Sequence, residues 1–269
     1  MKKINIVLAS IVFPSVALAQ DYQLFSELGY ERLDLDADYA DTDIFSASGK
    51  YYFRKKQALG PWAEFDFLNT KSNVSAYYIN QEGDVDAIKI AGEAFIGNIL
   101  VGAGYKRSDT GTSSYNSSSA TLGYLIQPNL LIKADYQDHP HGGDAVFSAR
   151  YTHSLAGKDY IGFDLAVDDD FDYWSGSSKY FRALGQNRYL AAEFNINDND
   201  GTTTWGLAGD YYFSQATSVG LGYQDLDQDD SVSVRARHYF TQNWALSASY
   251  SSIDENDIDI YQIALIGQF

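Results

Sequence analysis

The chain predicts an all-β fold, a transmembrane antiparallel up-and-down β-barrel, on three observations. Apolar and polar residues alternate with period two through one short segment after another, the pattern of strands with two different faces. The chain carries 22 Tyr and 15 Phe at a net charge of −17, an aromatic load expected where rings sit at two membrane interfaces. Beyond the first twenty residues no stretch approaches the roughly 18 consecutive apolar residues that a membrane helix needs. Without helices, only a closed sheet can pair every backbone group inside a bilayer.

The elements follow in order. MKKINIVLASIVFPSVALAQ has a charged start, an apolar run and the small-residue site Ala17-Leu18-Ala19, so residues 1–19 read as a secretory signal and 20–269 as one barrel domain. Loss of Lys2 and Lys3 with the signal would take the net charge from −17 to −19. There is no Cys, hence no lipid attachment site and no disulfide. YQLFSELGY (22–30) opens the sheet. Seven hairpins on one plan follow, each two alternating segments around a short turn. The first is FSASGKYYF (45–53) with PWAEFDF (61–67), then IKIAGEAF (88–95) with ILVGAGY (99–105), and ATLGYLI (120–126) with LLIKADY (130–136). VFSARYTH (146–153) pairs with YIGFDLAV (160–167), KYFRAL (179–184) with RYLAAEFNI (188–196), WGLAGDYYF (205–213) with SVGLGYQ (218–224), and VSVRARHYF (232–240) with WALSASY (244–250). YQIALIGQF (261–269) closes the sheet at sixteen strands. Fourteen or eighteen are the alternatives, because VSAYY inside residues 68–86 reads here as strand extension plus loop. Pro61 and Pro128 fall in turns and Pro140 in a loop, where a missing N–H costs no ladder bond.

Parity sorts the strands into two faces. One is nearly uncharged, from Leu24, Leu28, Phe45 and Tyr51 through Ala63, Phe65 and Phe67 to Leu221, Val234 and Leu246; a charge there at the bilayer midplane would cost about 2–4 kcal/mol. The opposite face carries Glu27, Glu31, Lys50, Arg54, Glu64, Asp66, Lys89, Glu93, Lys106, Lys133, Asp135, Arg150, Asp164, Arg182, Glu193, Asp210, Arg235 and Arg237. Such a face cannot be a dry core, because unpaired buried charge is too costly. It requires water in a lumen that sixteen strands leave wide enough, the chain having no evident spare length for a plug. These eighteen residues are the expected pore lining, with Arg235, Arg237, Lys50 and Arg54 suggesting a basic wall near the seam.

The inward charges balance, so the acidic excess lies in loops: DLDADYADTD, VDDDFDY, NINDNDG, QDLDQDD and SIDENDID. Such a mouth would favour cations at low salt, or simply keep the loops hydrated or hold divalent ions. The acidity argues against nucleic acid as a partner.

In FSASGKYYF, in PWAEFDFLNTKSNVSAYY and in the closing YQIALIGQF the chain resembles the general porins of Gram-negative bacteria. The resemblance implies an outer-membrane location, passive diffusion of small hydrophilic solutes and ions, outer-membrane lipid around the barrel, and a homotrimer. It also makes Tyr261, Ile263, Leu265 and terminal Phe269 a signal for the barrel assembly machinery. Larger relatives fold a long third loop into the lumen; here KRSDTGTSSYNSSS is short, leaving residues 68–86 or the inward charges to narrow the path.

Two other readings have sequence support. A channel selective for sugars or organic acids would use the inward aromatics Tyr52, Trp62, Phe95, Tyr180 and Tyr212. An outer-membrane enzyme would need a base, and the four His offer little: His153 at a strand end, His238 beside Tyr239, and His139 and His141 in DHPHGGD with Asp138 and Asp144, a possible metal cluster only if the rings converge. No G-x-S-x-G is present. No cofactor is expected.

Overall fold

The computed structural model describes residues 20–35, 41–82, 85–139, 142–227, 229–254 and 258–269. The expected signal over 1–19 lies outside them, as does His141 of the metal candidate. The strands are β1 (Asp21–Asp34), β2 (Thr42–Gln57), β3 (Asn73–Gln81), β4 (Val85–Ile96), β5 (Ile99–Asp109), β6 (Ser114–Gln127), β7 (Leu130–His139) and β8 (Gly142–Ser154). They continue as β9 (Tyr160–Asp168), β10 (Tyr173–Gly185), β11 (Arg188–Asn199), β12 (Thr202–Tyr212), β13 (Thr217–Asp225), β14 (Asp230–Tyr239), β15 (Trp244–Ile253) and β16 (Ile258–Gln268). Each pairs antiparallel with its sequence neighbours, and β1 pairs with β16, so the sheet closes as a sixteen-stranded barrel.

The seam shows why the last strand has its alternation. Leu28 faces Leu265 and Tyr30 faces Ile263, which puts apolar side chains from both chain ends on one outer surface. That surface is open all round: Leu28 is 60% exposed, Leu165 62% and Leu221 67%. Exposed side chains of this size, strand after strand, fit contact with hydrocarbon rather than water. Phe269 returns its backbone to β1, its carbonyl accepting from Gln23 and Leu24.

The third strand differs from the sequence expectation. It is NVSAYYINQ, in which Val74 pairs with Tyr51 and Tyr78 with Ala47; PWAEFDF is not a strand. Instead residues 58–72 leave the sheet after Gln57 and lie inside the barrel at the end that carries both chain termini, with the Ala58 N–H donating to the Gln20 carbonyl. The count of sixteen holds because VSAYY takes the place assigned to PWAEFDF. Period two shows only that successive side chains point opposite ways, and a segment packed on two sides by protein satisfies it as well as a strand between lipid and water. Pro61, which cannot donate to a ladder, lies within this departure. Gly60 makes it fit: a Cβ there would lie 2.4 Å from the Tyr189 ring.

The apolar interior lies where this segment meets the wall. Leu68 packs with Leu100, Leu125 and Leu131; Leu59, Ala63 and Phe67 pack against Tyr160, Phe181, Ala191 and Tyr212; Trp62 and Ala63 pack against Tyr239, Ala245 and Ile266. Each of the three clusters thus draws on residues 58–72 and on a different arc of the barrel, so the segment crosses the lumen. The expectation of no plug is corrected: the length comes from PWAEFDF, the segment expected to be the third strand, whose place beside β2 is taken by Asn73–Gln81.

Candidate functional site: the lumen and its crossing segment

The crossing segment is tied to the wall by polar contacts as well as by rings. Glu64, 4% exposed, accepts from Lys179 Nζ of β10 at 3.0 and 3.1 Å and from the Tyr212 hydroxyl of β12 at 2.6 Å. Lys179 also reaches Glu193 of β11 at 3.0 Å, so one ammonium meets two carboxylates. Gln268 of β16 donates to the Trp62 carbonyl at 3.1 Å, and Lys158 donates to the Ala58 carbonyl at 3.1 Å. A buried carboxylate is tolerable only with such partners. On the opposite side Phe65 stands edge-on to Phe25 (5.1 Å) and Tyr22 (6.0 Å) of β1, and Trp62 stands edge-on to Tyr239 of β14 (5.7 Å).

Among the described residues, three water-accessible cavities lie between segment and wall. The first, about 450 Å³, lies against β1–β3, β14 and β16 and is lined by Glu27, Lys50, Lys56, Phe65, Tyr77 and Arg237 among others. The second, about 240 Å³, lies under β10–β14 and includes Glu64, Lys179, Glu193, Asp210, Arg235 and Arg237. The third, about 420 Å³, opens toward the turns before β7 and β9 and includes Asp66, Asn129 and Lys158. Lumen residues thus face water-accessible space on more than one side of the segment.

The expected lining residues divide into two groups. On β7–β14, apart from Arg182 and Arg237, they form pairs: Lys133 with Asp135 at 2.7 Å, Arg150 with directly opposed Asp164, Glu193 with Lys179, and Arg235 with Asp210 across the intervening Gly220. The gap at Gly220 is needed, since a Cβ there would sit 2.2 Å from Asp210 Oδ1. Thr121 adds a 2.6 Å bond to Asp135. On β2–β5 the cations Lys50, Lys89 and Lys106 have no ion pair among the described residues, and Lys89 stands directly across the ladder from Lys106. Glu93 accepts from Asn73 at 3.0 Å, and Glu31 accepts from Gln262.

Several expected placements are corrected. Glu64 and Asp66 belong to the crossing segment rather than to a strand face, and Phe65 and Phe67, expected against lipid, are inside it, Phe67 meeting Tyr160 and Arg150. Arg182 points the other way: Lys179, three residues earlier on the regular β10 ladder, reaches the lumen, so Arg182 shares the outer parity with Tyr180. Arg54 is exposed and lies in the irregular part of β2, where the register with β1 shifts between Tyr22 and Leu24, so parity does not fix the side on which it stands. Residues 68–86, the expected narrowing segment, contribute only their first five residues to the crossing segment; most of the rest is β3. Lys56 and Lys179 escaped the sequence reading. Lys179 could have been found from its parity with Phe181, whereas Lys56 follows an irregularity that parity cannot count across.

His153 Nδ1 is 3.3 Å from the Tyr151 hydroxyl, and His238 Nδ1 is 2.8 Å from Thr217 Oγ1. Both pairs are exposed, and neither has a carboxylate partner among the described residues.

Several solved structures superpose on most of the chain, among them one described as an outer membrane protein. Omp33 of Acinetobacter baumannii superposes with a TM-score of 0.59 at 18% identity, over 94% of this chain and 100% of that one. OprB of Pseudomonas putida, in its low-pH structure, gives 0.60 at 10% identity over 92% of each, and OccAB1 of A. baumannii gives 0.54 at 8% over 93% and 96%. At these identities the likeness is one of fold. No curated protein matches the sequence. The family model described as "putative general bacterial porin" matches residues 1–269, and the chain belongs to that family of Gram-negative outer-membrane channels.

Proposed function

We propose that the protein is a channel for passive diffusion of small hydrophilic solutes and ions, narrowed at its periplasmic end by residues 58–72. The observation that carries this reading is the crossing segment itself: it meets several arcs of the wall, yet leaves three cavities whose linings include charged side chains. In a barrel of this class the short turns and both chain ends are periplasmic, which sets the segment at the inner mouth. The lining role of the inward charges is part of this proposal. The acidic loops would add a mild cation preference that fades as salt shortens the Debye length, about 10 Å at 0.1 M. Family and fold point to a channel rather than an enzyme.

The exposed apolar surface supports outer-membrane lipid as the surrounding partner, and the β16 end with Tyr261, Ile263, Leu265 and Phe269 supports recognition by the assembly machinery. A homotrimer rests on the family resemblance. A solute-selective channel is favoured over free diffusion only by the narrowness that the segment imposes. Single-channel conductance in planar bilayers, with reversal potentials under a salt gradient, separates these readings. Small ohmic steps with cation preference at low salt support the proposal, block by one solute class supports selectivity, and silence of a folded protein rules out conduction.

A further inference from the structure

We propose that the cavity between the crossing segment and the β1–β3 wall binds an organic anion, a carboxylate carried on an apolar body. Three cations line it, Lys50, Lys56 and Arg237, against one carboxylate, Glu27. The other charged members of the lumen wall on β7–β14 neutralise one another in pairs, as Arg235 does with Asp210 and Lys179 with Glu64 and Glu193. These three cations do not.

Lys56 is the sharpest case. It is 8% exposed, yet its ammonium has no ion pair and no hydrogen bond among the described residues, although Asp66 attracts it from a distance. What it has are ring faces: Tyr52 at 4.8 Å and Phe65 at 5.6 Å. A π face replaces part of the lost hydration of a cation, but three N–H donors still need acceptors. Lys50 approaches the same Tyr52 ring at 5.4 Å, so two ammoniums share one ring, an arrangement that an intervening anion would relieve. Asp66 belongs to a different cavity, on the side of the turns. Arg237 supplies the second unsatisfied group, because its Nε is buried with no hydrogen-bond partner. Both groups line the cavity, and a guanidinium together with an ammonium is a donor set that recognises a carboxylate.

The remainder of the lining decides the ligand class. Phe25, Tyr52, Phe65 and Tyr77 border the same space, and its volume of about 450 Å³ falls within the roughly 300–1,000 Å³ of small-molecule sites. Rings and cations lining one space suit a single-ring or short aliphatic acid better than a fully hydrated inorganic anion. The acidic loops do not oppose this. β2 runs from Thr42 at the loop end to Gln57 at the other, and at about 3.3 Å per residue Lys56 stands several Debye lengths from that mouth.

The inference deepens the channel reading in that it needs a water-accessible lumen, but it does not need conduction. The test is isothermal titration of the refolded full chain in detergent micelles with sodium benzoate, benzyl alcohol and sodium phosphate, folding being checked by heat-modifiable gel migration. Saturable benzoate binding with no binding of benzyl alcohol is expected. Lys56→Met should weaken it on the order of tenfold, the worth of one charge-assisted hydrogen bond, and Lys50→Met, at a less buried position, should weaken it in the same direction. No benzoate binding to folded protein, or equal binding by both variants, overturns the proposal. Phosphate binding as tight as benzoate overturns its apolar half. Binding without conductance would refute the channel reading and leave this one standing; conductance without binding would do the reverse.

Discussion

Glu64 and Lys179 are 115 residues apart in the chain, and their charged groups are 3.0 Å apart in the structure. The pair joins a segment that has left the sheet to the wall it crosses toward, and Tyr212 completes it by donating to the same carboxylate. Because Glu64 is buried, losing Lys179 leaves its charge with only the Tyr212 hydroxyl as a side-chain partner among the described residues.

Lys179→Met is therefore expected to destabilise the crossing segment by about 3–5 kcal/mol, and Glu64→Gln by less, since an amide oxygen still accepts from Tyr212. The double substitution should cost less than the sum of the two. Both single variants should raise single-channel conductance, because the sheet closes without the segment. Unchanged conductance in two folded variants would show that the segment does not limit flow.

Leu221→Arg, on the outer face near the middle of β13, should cost about 2–4 kcal/mol and impair assembly. Phe65→Arg should not, because Phe65 packs inside against Phe25 and Tyr22; it should assemble with a loosened segment and altered conductance. Gel-shift assays on membranes separate the two. Equal failure of both would place Phe65 on the lipid face after all.

Gly60→Ala puts a methyl group 2.4 Å from the Tyr189 ring, so the turn into the crossing segment must move, at about 1–3 kcal/mol. Tyr189→Ala should partly rescue it. The measurement is the urea midpoint of the single and double variants, and lack of rescue would locate the strain elsewhere.

At the loop end, the Arg32 guanidinium beside Asp41, at 2.5 Å, holds that carboxyl below the usual carboxylate range. A lowered folded pKa means that the contact stabilises the fold above the unfolded pKa and is lost as pH falls through the lowered one. Carboxyl-carbon NMR of the folded protein should show Asp41 titrating below an ordinary aspartate, and Arg32→Met should raise it. No upward movement in that variant would remove Arg32 as the cause.

Much of the barrel was legible because its two faces meet two solvents. Leu28, Phe45, Leu165 and Leu221 alternate with Glu27, Ser46, Asp164 and Gly220, and each such strand could be read without knowledge of its partners. PWAEFDF defeated the same method. Its Ala63, Phe65 and Phe67 alternate like a lipid-facing set, but the rings that receive them come from β1 and β9, far away in sequence. Arg182 was misread for a different reason: KYFRAL holds a cation on each parity, and only the contact between Lys179 and Glu64 shows which one is inside.

The sequence alone pointed to a closed membrane-spanning sheet of about sixteen strands with an apolar outer surface and a charged inner one, because strand periodicity and the absence of a spanning helix are local properties. The tertiary structure decided which segment is the third strand, which one crosses the lumen, and which cations are left unpaired. Those depend on contacts between residues that only barrel closure brings together, and on a stretch whose alternation fits packed protein as well as it fits a bilayer.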